Sequence, residues 1–196
     1  MPFRIILATR NPGKVEEIRA LLSDLSVEIV PADALDEPLA VKEDAGTLEG
    51  NAEKKARAYT ERYQLPALAD DTGLEVDALG GAPGVHTARF AGPDATASDN
   101  TKKMLAELDG TSDRTARFRT VACFVDSSGA AHAFHGVCEG RIATGPRGNQ
   151  GFGYDPIFIP EGHNETFAEM DADAKNAISH RKKAMEAVRK FLTSEV

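Results

Sequence analysis

Tryptophan is absent from this 196-residue chain, and only three tyrosines stand beside nine phenylalanines. That scarcity excludes an aromatic platform built to stack successive bases. Cysteine is nearly absent too, with only Cys123 and Cys138. Two are too few for a disulfide scaffold or a cysteine zinc site, and they read as buried thiols in a reducing cytoplasm. No apolar run reaches the roughly 18 residues that a membrane-crossing helix needs. The opening Met-Pro-Phe-Arg lacks the length and cleavage site of a signal peptide. Positive charge is also in deficit: 23 Lys and Arg against 31 Asp and Glu leave a net charge of -8. Binding to nucleic-acid backbones draws on clustered cations, so no nucleic-acid partner is expected. An anionic ligand must then be held locally, by a few placed cations, helix N-termini or a metal ion. The length suits one compact domain, residues 1–196, or two closely packed lobes.

The first strong pattern is the run Arg4 to Ala8, apolar without alternation after its arginine, as in a strand buried on both faces. It stops at Thr9-Arg10-Asn11-Pro12-Gly13-Lys14, after which Val15, Ile18, Leu21, Leu22 and Leu25 recur at helical spacing. Asn11 fits an N-cap and Pro12 the first helical position. A helix start of this kind presents unpaired N–H groups, Gly13 permits close approach and Lys14 adds a cation, which describes a phosphate cradle. A plain capped turn with a solvated lysine has the same sequence. Val27 to Val30 reads as a second strand. A polar loop holding Glu43 and Asp44 leads into a helix over 48–63, with Leu48, Ala52, Ala56, Tyr59 and Tyr63 inward. Lys55 sits on or beside that face, where it either snorkels to water or is held over an acidic or phosphate site.

Next, Pro66 to Ala69 form a short apolar strand that ends at Asp70-Asp71-Thr72-Gly73. Strand geometry puts the two acids on opposite sides. Carboxylates at the end of a strand in an α/β sheet suit magnesium, which takes hard oxygen ligands and substrate phosphates. A strand-to-turn corner would also collect Asp and Gly. Residues 78–92 are glycine-rich and read as a loop. Further on come a helix over 98–108 and two long strands, 116–126 and 131–139, joined by Ser127-Ser128-Gly129, so the sheet is mixed and carries a second lobe. Four glycines fall between 145 and 153 and interleave with Phe152, Tyr154 and Asp155, a combination suited to stacking and edge-reading of a base. Ile157 to Ile159 resumes a strand. Lys175, His180 and Arg181 gather donors at the start of a last helix, fit for an anion or a carbonyl.

Four of these features occur together and in order: Thr-Arg-Asn-Pro-Gly-Lys, Ala-Asp-Asp-Thr-Gly, Gln-Gly-Phe-Gly-Tyr-Asp-Pro and Ser-His-Arg. Together they closely resemble the inosine triphosphate pyrophosphatase, or Ham1-like, family over nearly the whole chain, from Ile5 to about Phe191. The resemblance implies an elongated α/β fold, with a long central mixed sheet flanked by helices, two lobes and a substrate cleft between them. It implies hydrolysis of ITP, dITP and XTP to monophosphate and pyrophosphate with Mg2+, by a cytoplasmic homodimer. Carried onto this sequence, Thr9, Arg10, Asn11, Pro12, Gly13 and Lys14 hold the triphosphate, and Lys55 adds a phosphate contact. Glu43 and Asp71 hold the metal, and Asp71 is also the general base. Thr72 contacts substrate where many relatives have Ser. Phe152, Gly153, Tyr154 and Asp155 enclose and read the base, and Lys175, His180 and Arg181 complete its recognition. Arg10 replaces a small residue, and Gln150 replaces a glycine.

Overall fold

A computed structural model describes residues 3–37 and 39–195. The fold is mixed α/β, with seven strands and five α-helices among the described residues. Strand β1 (Phe3–Leu7) lies between β2 (Val27–Pro31) and β3 (Ala67–Val76), parallel to both. That central position leaves Ile5, Ile6 and Leu7 fully buried and explains the unalternating apolar run. Helix α1 (Pro12–Leu21) follows, with the Asn11 side chain accepting the Lys14 N–H and Pro12 in the first turn. Helix α2 (Leu48–Tyr63) begins at Thr47, whose hydroxyl caps Gly50 N–H at 3.0 Å.

Strand β3 does not stop at its carboxylates. It runs through Asp70, Asp71 and Thr72 to Val76, because Leu74 and Val76 continue the buried alternation and β4 (Pro83–Gly84) pairs antiparallel with its far half. Gly73 is required there, since a Cβ would stand 2.9 Å from the Gly84 carbonyl oxygen. Helix α3 (Ala97–Glu107) starts in a reciprocal Thr96–Asp99 capping box. Strands β5 (Thr115–Val125) and β6 (Ala131–Ile142) flank a tight turn, and β7 (Phe158–Pro160) pairs antiparallel with β6. The sheet order is β2-β1-β3-β5-β6-β7, with β4 beside β3. Helix α4 (Ala172–Ile178) is an addition to the sequence reading. Its seven residues are too few and too polar to show a period, and its start depends on the Asp171 carboxylate accepting Ala174 N–H at 2.7 Å. Helix α5 (His180–Glu195) begins immediately after Ser179. No described helix is long and apolar enough to cross a membrane.

The chain forms two compact units, whose boundaries fall within β3, β5 and β6 and between His180 and Arg181. The first takes the chain up to Asp71, Thr120–Gly136 and the stretch from Arg181 onward. Its core joins Ile5, Leu7, Ile18, Leu68, Phe124, Met185 and Val188. The second comprises Thr72–Arg119 and Val137–His180. Its core joins Leu74, Met104, Phe118, Tyr154, Phe158 and Phe167.

Packing in the second unit leaves no room at Gly140, where a Cβ would meet the Ile159 carbonyl oxygen at 2.3 Å and the Phe158 ring at 2.7 Å. Gly145 has nothing within 4 Å of that position. Gly140→Ala should therefore destabilise by about 1–3 kcal/mol, several degrees in Tm. Gly145→Ala should leave the melting curve where it is. Thermal unfolding of both variants checks this, and equal melting temperatures would contradict it.

Candidate active site

The first unit contains a buried charge cluster. Asp70 on β3 is 1% exposed, and its Oδ2 accepts from Arg181 Nε at 3.2 Å and Nη2 at 3.1 Å. Lys14 Nζ lies 3.1 Å from the same oxygen. The third guanidinium nitrogen, Arg181 Nη1, bonds Glu17 Oε2 one helical turn after Lys14. Helix α1 therefore supplies both a cation and an anion to one cluster, since residues three apart share a face. Burial alone would keep Asp70 protonated. The charges of Lys14, Arg181 and Lys55 outweigh that and hold its carboxyl far below the usual carboxylate range. Lys14 moves down as well, because its own burial exceeds what Asp70 returns.

The neighbouring Asp71 takes different partners, as alternation along a strand requires. Its Oδ2 accepts from Asn51 Nδ2 at 3.0 Å, and its Oδ1 lies 3.6 Å from Lys55 Nζ. Here burial prevails over the attraction of Lys55 and Lys14, and Asp71 is shifted upward. Lys55 does not snorkel to water. Its ammonium donates to Glu43 Oε1 at 2.7 Å and to the Asp70 carbonyl at 2.7 Å. Despite its burial, Asp71, Asp70 and Glu43 raise its pKa. Asn51 is 1% exposed, and besides holding Asp71 it accepts Ala45 N–H at 3.0 Å, which fixes the loop behind Glu43. Sequence reasoning gave no role to Asn51 or Glu17, and treated Asp70 only as one of two strand-end acids suited to magnesium. A buried-face Asn one turn before Lys55 was the available signal for the first.

Glu43 and Asp71 thus already converge on a single cation, the Lys55 ammonium. No group of three or more His, Cys, Asp or Glu poised for a metal occurs among the described residues. Magnesium needs no such group: one or two carboxylates suffice when substrate phosphates supply the remaining oxygens. The donor set fits that ion. Asp44 instead faces Lys42 and Lys54 at the surface.

Thr9 to Lys14 form the loop and first turn of α1, with Thr9 Oγ1 accepting Asn11 N–H at 3.2 Å. Arg10, Asn11 and Pro12 are exposed, and Gly13 is half-buried. Arg10 and Pro12 also line a cavity of about 300 Å³ with Arg19 and Asp33.

The second unit gathers the remaining expected residues. Lys175 Nζ is 2.7 Å from Asp155 Oδ2, and both side chains are buried. The same oxygen accepts Phe152 N–H at 2.8 Å. Gly151, at φ 73°, lies so close that a Cβ would stand 2.1 Å from it. Asp155 therefore ties the glycine-rich loop to α4. The Lys175 ammonium also sits 4.8 Å from the Phe152 ring centre. His180 stacks on Phe118, centroids 4.6 Å apart, and is 3% exposed. Gly153 and Thr72 are half-buried, and Thr72 follows Asp71 on β3.

Two of the expected residues have partners that the sequence did not indicate. The Tyr154 ring does not stand out of the loop. It is 3% exposed in the core, with its hydroxyl donating to the Thr87 carbonyl at 2.9 Å. An aromatic ring buries large area and a hydroxyl that finds a partner can follow it inside, which leaves Phe152 as the half-buried ring of the pair. Arg181 is buried as well, and its guanidinium nitrogens donate to Asp70 and Glu17, since a buried carboxylate draws a multidentate cation.

Such an arrangement defines a class: a mixed α/β protein with a capped helix start and two lysines gathered on two adjacent buried acids. A sequence profile of the Ham1 family matches residues 5–191, and the chain belongs to that family. It is similar to a dITP/XTP pyrophosphatase of Porphyromonas gingivalis, 50% identical over 190 residues, covering 96% of this chain and 97% of that one. A dITP/XTP pyrophosphatase of Syntrophobacter fumaroxidans is 49% identical, covering 92% and 78%. Among solved structures, a HAM1 protein from Coxiella burnetii superposes with a TM-score of 0.89 at 42% identity, covering 98% of this chain and 99% of that chain.

Asp70 is the group on which this cluster depends. Asp70→Asn leaves three buried cations short of one anion and should cost about 3–5 kcal/mol. Because the folded pKa of Asp70 lies below its unfolded value near 4, its contribution is complete above that value. It is lost as pH falls through the depressed folded pKa. Urea unfolding from pH 7 to pH 2 should show a steep acid loss in wild type and a shallower one in Asp70→Asn. Parallel curves would remove Asp70 from the acid response.

Proposed function

We propose that this chain is a nucleoside triphosphate pyrophosphatase that converts ITP, dITP and XTP to the monophosphate and pyrophosphate, clearing deaminated purines. The observation that carries the reading is the convergence of Lys14 and Lys55 on Asp70 and Asp71 beside the capped start of α1. The names of the dITP/XTP pyrophosphatases similar to it support the substrate class.

The chemistry follows from the residues. Water must attack the α-phosphorus while the diphosphate leaves with its charge neutralised. The N–H groups at the start of α1, Lys14 and Lys55 bind the polyphosphate oxygens. Asp71 orients and deprotonates the water, and its raised pKa makes it a better base than a solvated aspartate. Asn51 holds the other Asp71 oxygen and so sets the direction of the active lone pair. Glu43 and Asp71 would hold magnesium, which supplies further neutralisation of the polyphosphate. Thr72 offers a hydroxyl to substrate. The base falls to Phe152, the backbone of Gly153 to Asp155, Lys175, His180 and Arg181. Hypoxanthine and xanthine carry a 6-keto acceptor where adenine carries an amino donor, so a donor on that edge is left unpaired by adenine. Family membership also supports a homodimer, and the two buried thiols fit a cytoplasmic setting.

Pyrophosphate release should be fast from ITP, dITP and XTP, slow from ATP and CTP, and abolished by a chelator in molar excess over magnesium. Equal rates across the panel, or full activity with chelator, would overturn the substrate or the metal assignment respectively. Asp71→Asn should lower turnover by about 10²–10⁴-fold. Its Tm should not fall, because a carboxylate whose ionised form is disfavoured in the fold is being removed. Turnover near wild type would exclude Asp71 as the base.

A further inference from the structure

Asn51 links the two carboxylates that would hold the metal. It lies on the buried face of α2 and is 1% exposed. Both ends of its amide are used. The nitrogen donates to Asp71 Oδ2 at 3.0 Å, and the oxygen accepts the Ala45 N–H at 3.0 Å. Ala45 stands two residues after Glu43, in a stretch that is neither helix nor strand. Helix α2 grips this stretch at three successive residues: Lys55 on Glu43, Lys54 on Asp44 and Asn51 on Ala45. The three grips are not equivalent. Lys54 and Asp44 form a surface pair, each side chain 44% exposed, and such pairs hold weakly. Lys55 is one of the cations assigned to the polyphosphate, so its grip on Glu43 is given up or shared when phosphate arrives. Asn51 is neutral, and an amide offers a donor and an acceptor at once. Its grip brings no cation to compete with the metal and no anion to repel Asp71.

We propose that Asn51 is a positioning residue for the metal: it keeps Asp71 and the Glu43 loop in one fixed relation, so that both carboxylates meet the same ion once Lys55 has turned to phosphate. The inference rests on the reading of Glu43 and Asp71 as the metal ligands. Loss of a group that orients metal ligands costs about 10–100-fold in metal affinity. Without Asn51, Asp71 loses the donor that fixes its carboxylate, and the loop loses its buried anchor at Ala45. The polyphosphate contacts of Lys14, Lys55 and the α1 N–H groups are left in place.

The test uses inorganic tripolyphosphate, titrated calorimetrically into the full chain once in magnesium buffer and once in EDTA. Magnesium should strengthen its binding to wild type, because the metal joins the carboxylates to the phosphates. Asn51→Leu, close in volume, should lose about tenfold or more of the affinity in magnesium and stay within about twofold of wild type in EDTA. A residue that merely supports the fold would weaken both titrations by the same factor, and that result overturns the proposal. Hydrogen exchange at the Ala45 amide should be faster in Asn51→Leu, and an unchanged rate would also overturn it. Glu43→Gln separates this inference from the metal assignment. If Glu43→Gln loses the strengthening by magnesium while Asn51→Leu keeps it, the metal assignment stands and the role of Asn51 falls. No strengthening in wild type, or none lost in Glu43→Gln, sinks the metal assignment and this inference with it. Should Asn51→Leu fail to fold, Asn51→Ala, which cannot overpack the site, replaces it with the same expected and excluding results.

Discussion

A carboxylate taken out of water must be neutralised where it stands, and the Asp70 carboxylate is buried on a central strand of the sheet. Three cations from three helices answer it: Lys14 from α1, Lys55 from α2 and Arg181 from α5. The ion pairs of Asp70 therefore tie α1 and α5 to β3, while Lys55 ties α2 to the same strand through the Asp70 carbonyl. A purely apolar core would hold these helices as well, and cases are known where replacing buried ions by hydrocarbon stabilises a protein. The charges do something an apolar core cannot: they concentrate ammonium groups at a helix start with the carboxylate that balances them already in place.

The adjacent residue shows how finely environment divides two identical side chains. Asp70 and Asp71 are consecutive and both buried, yet one is driven down and the other up. Charge decides the first case, because a lysine and an arginine bear directly on its carboxylate. Burial decides the second, because Lys55 is shared with Glu43 and with the Asp70 carbonyl. Two carboxylates with separated pKa values are the usual sign of separated roles. The structural anion and the candidate base are neighbours for that reason. The cost is a carboxylate at position 71 that the fold would hold more easily in its protonated form.

The second unit uses an ion pair for a different end. Asp155 and Lys175 lock a loop whose glycines would otherwise leave it loose, and Gly151 is obligatory because the carboxylate occupies the place of its side chain. Burying Tyr154 anchors one side of the loop, while Phe152 stays half-buried beside the Lys175 ammonium. A rigid loop presenting one ring and a row of backbone groups suits the reading of a flat heterocycle.

The sequence by itself determined the local pieces. The apolar run of β1, the Asn11 cap with Pro12, the face of α2 and the hairpin of β5 and β6 follow from periodicity and turn chemistry, which act over a few residues. The order of four motifs was enough to bring out the family. Tertiary structure alone decided what the charged side chains do. Position on α2 could not say whether Lys55 reached water or acids, because that depends on β3 and on the 43–45 loop. Nothing local joins Arg181 to Asp70, 111 residues away in sequence, or turns Tyr154 inward to Thr87. The continuation of β3 past its two acids likewise rests on a partner strand and on buried Leu74 and Val76. Electrostatic partners and burial are properties of distant segments brought together, so a single stretch of sequence specifies the charge but not its counterion.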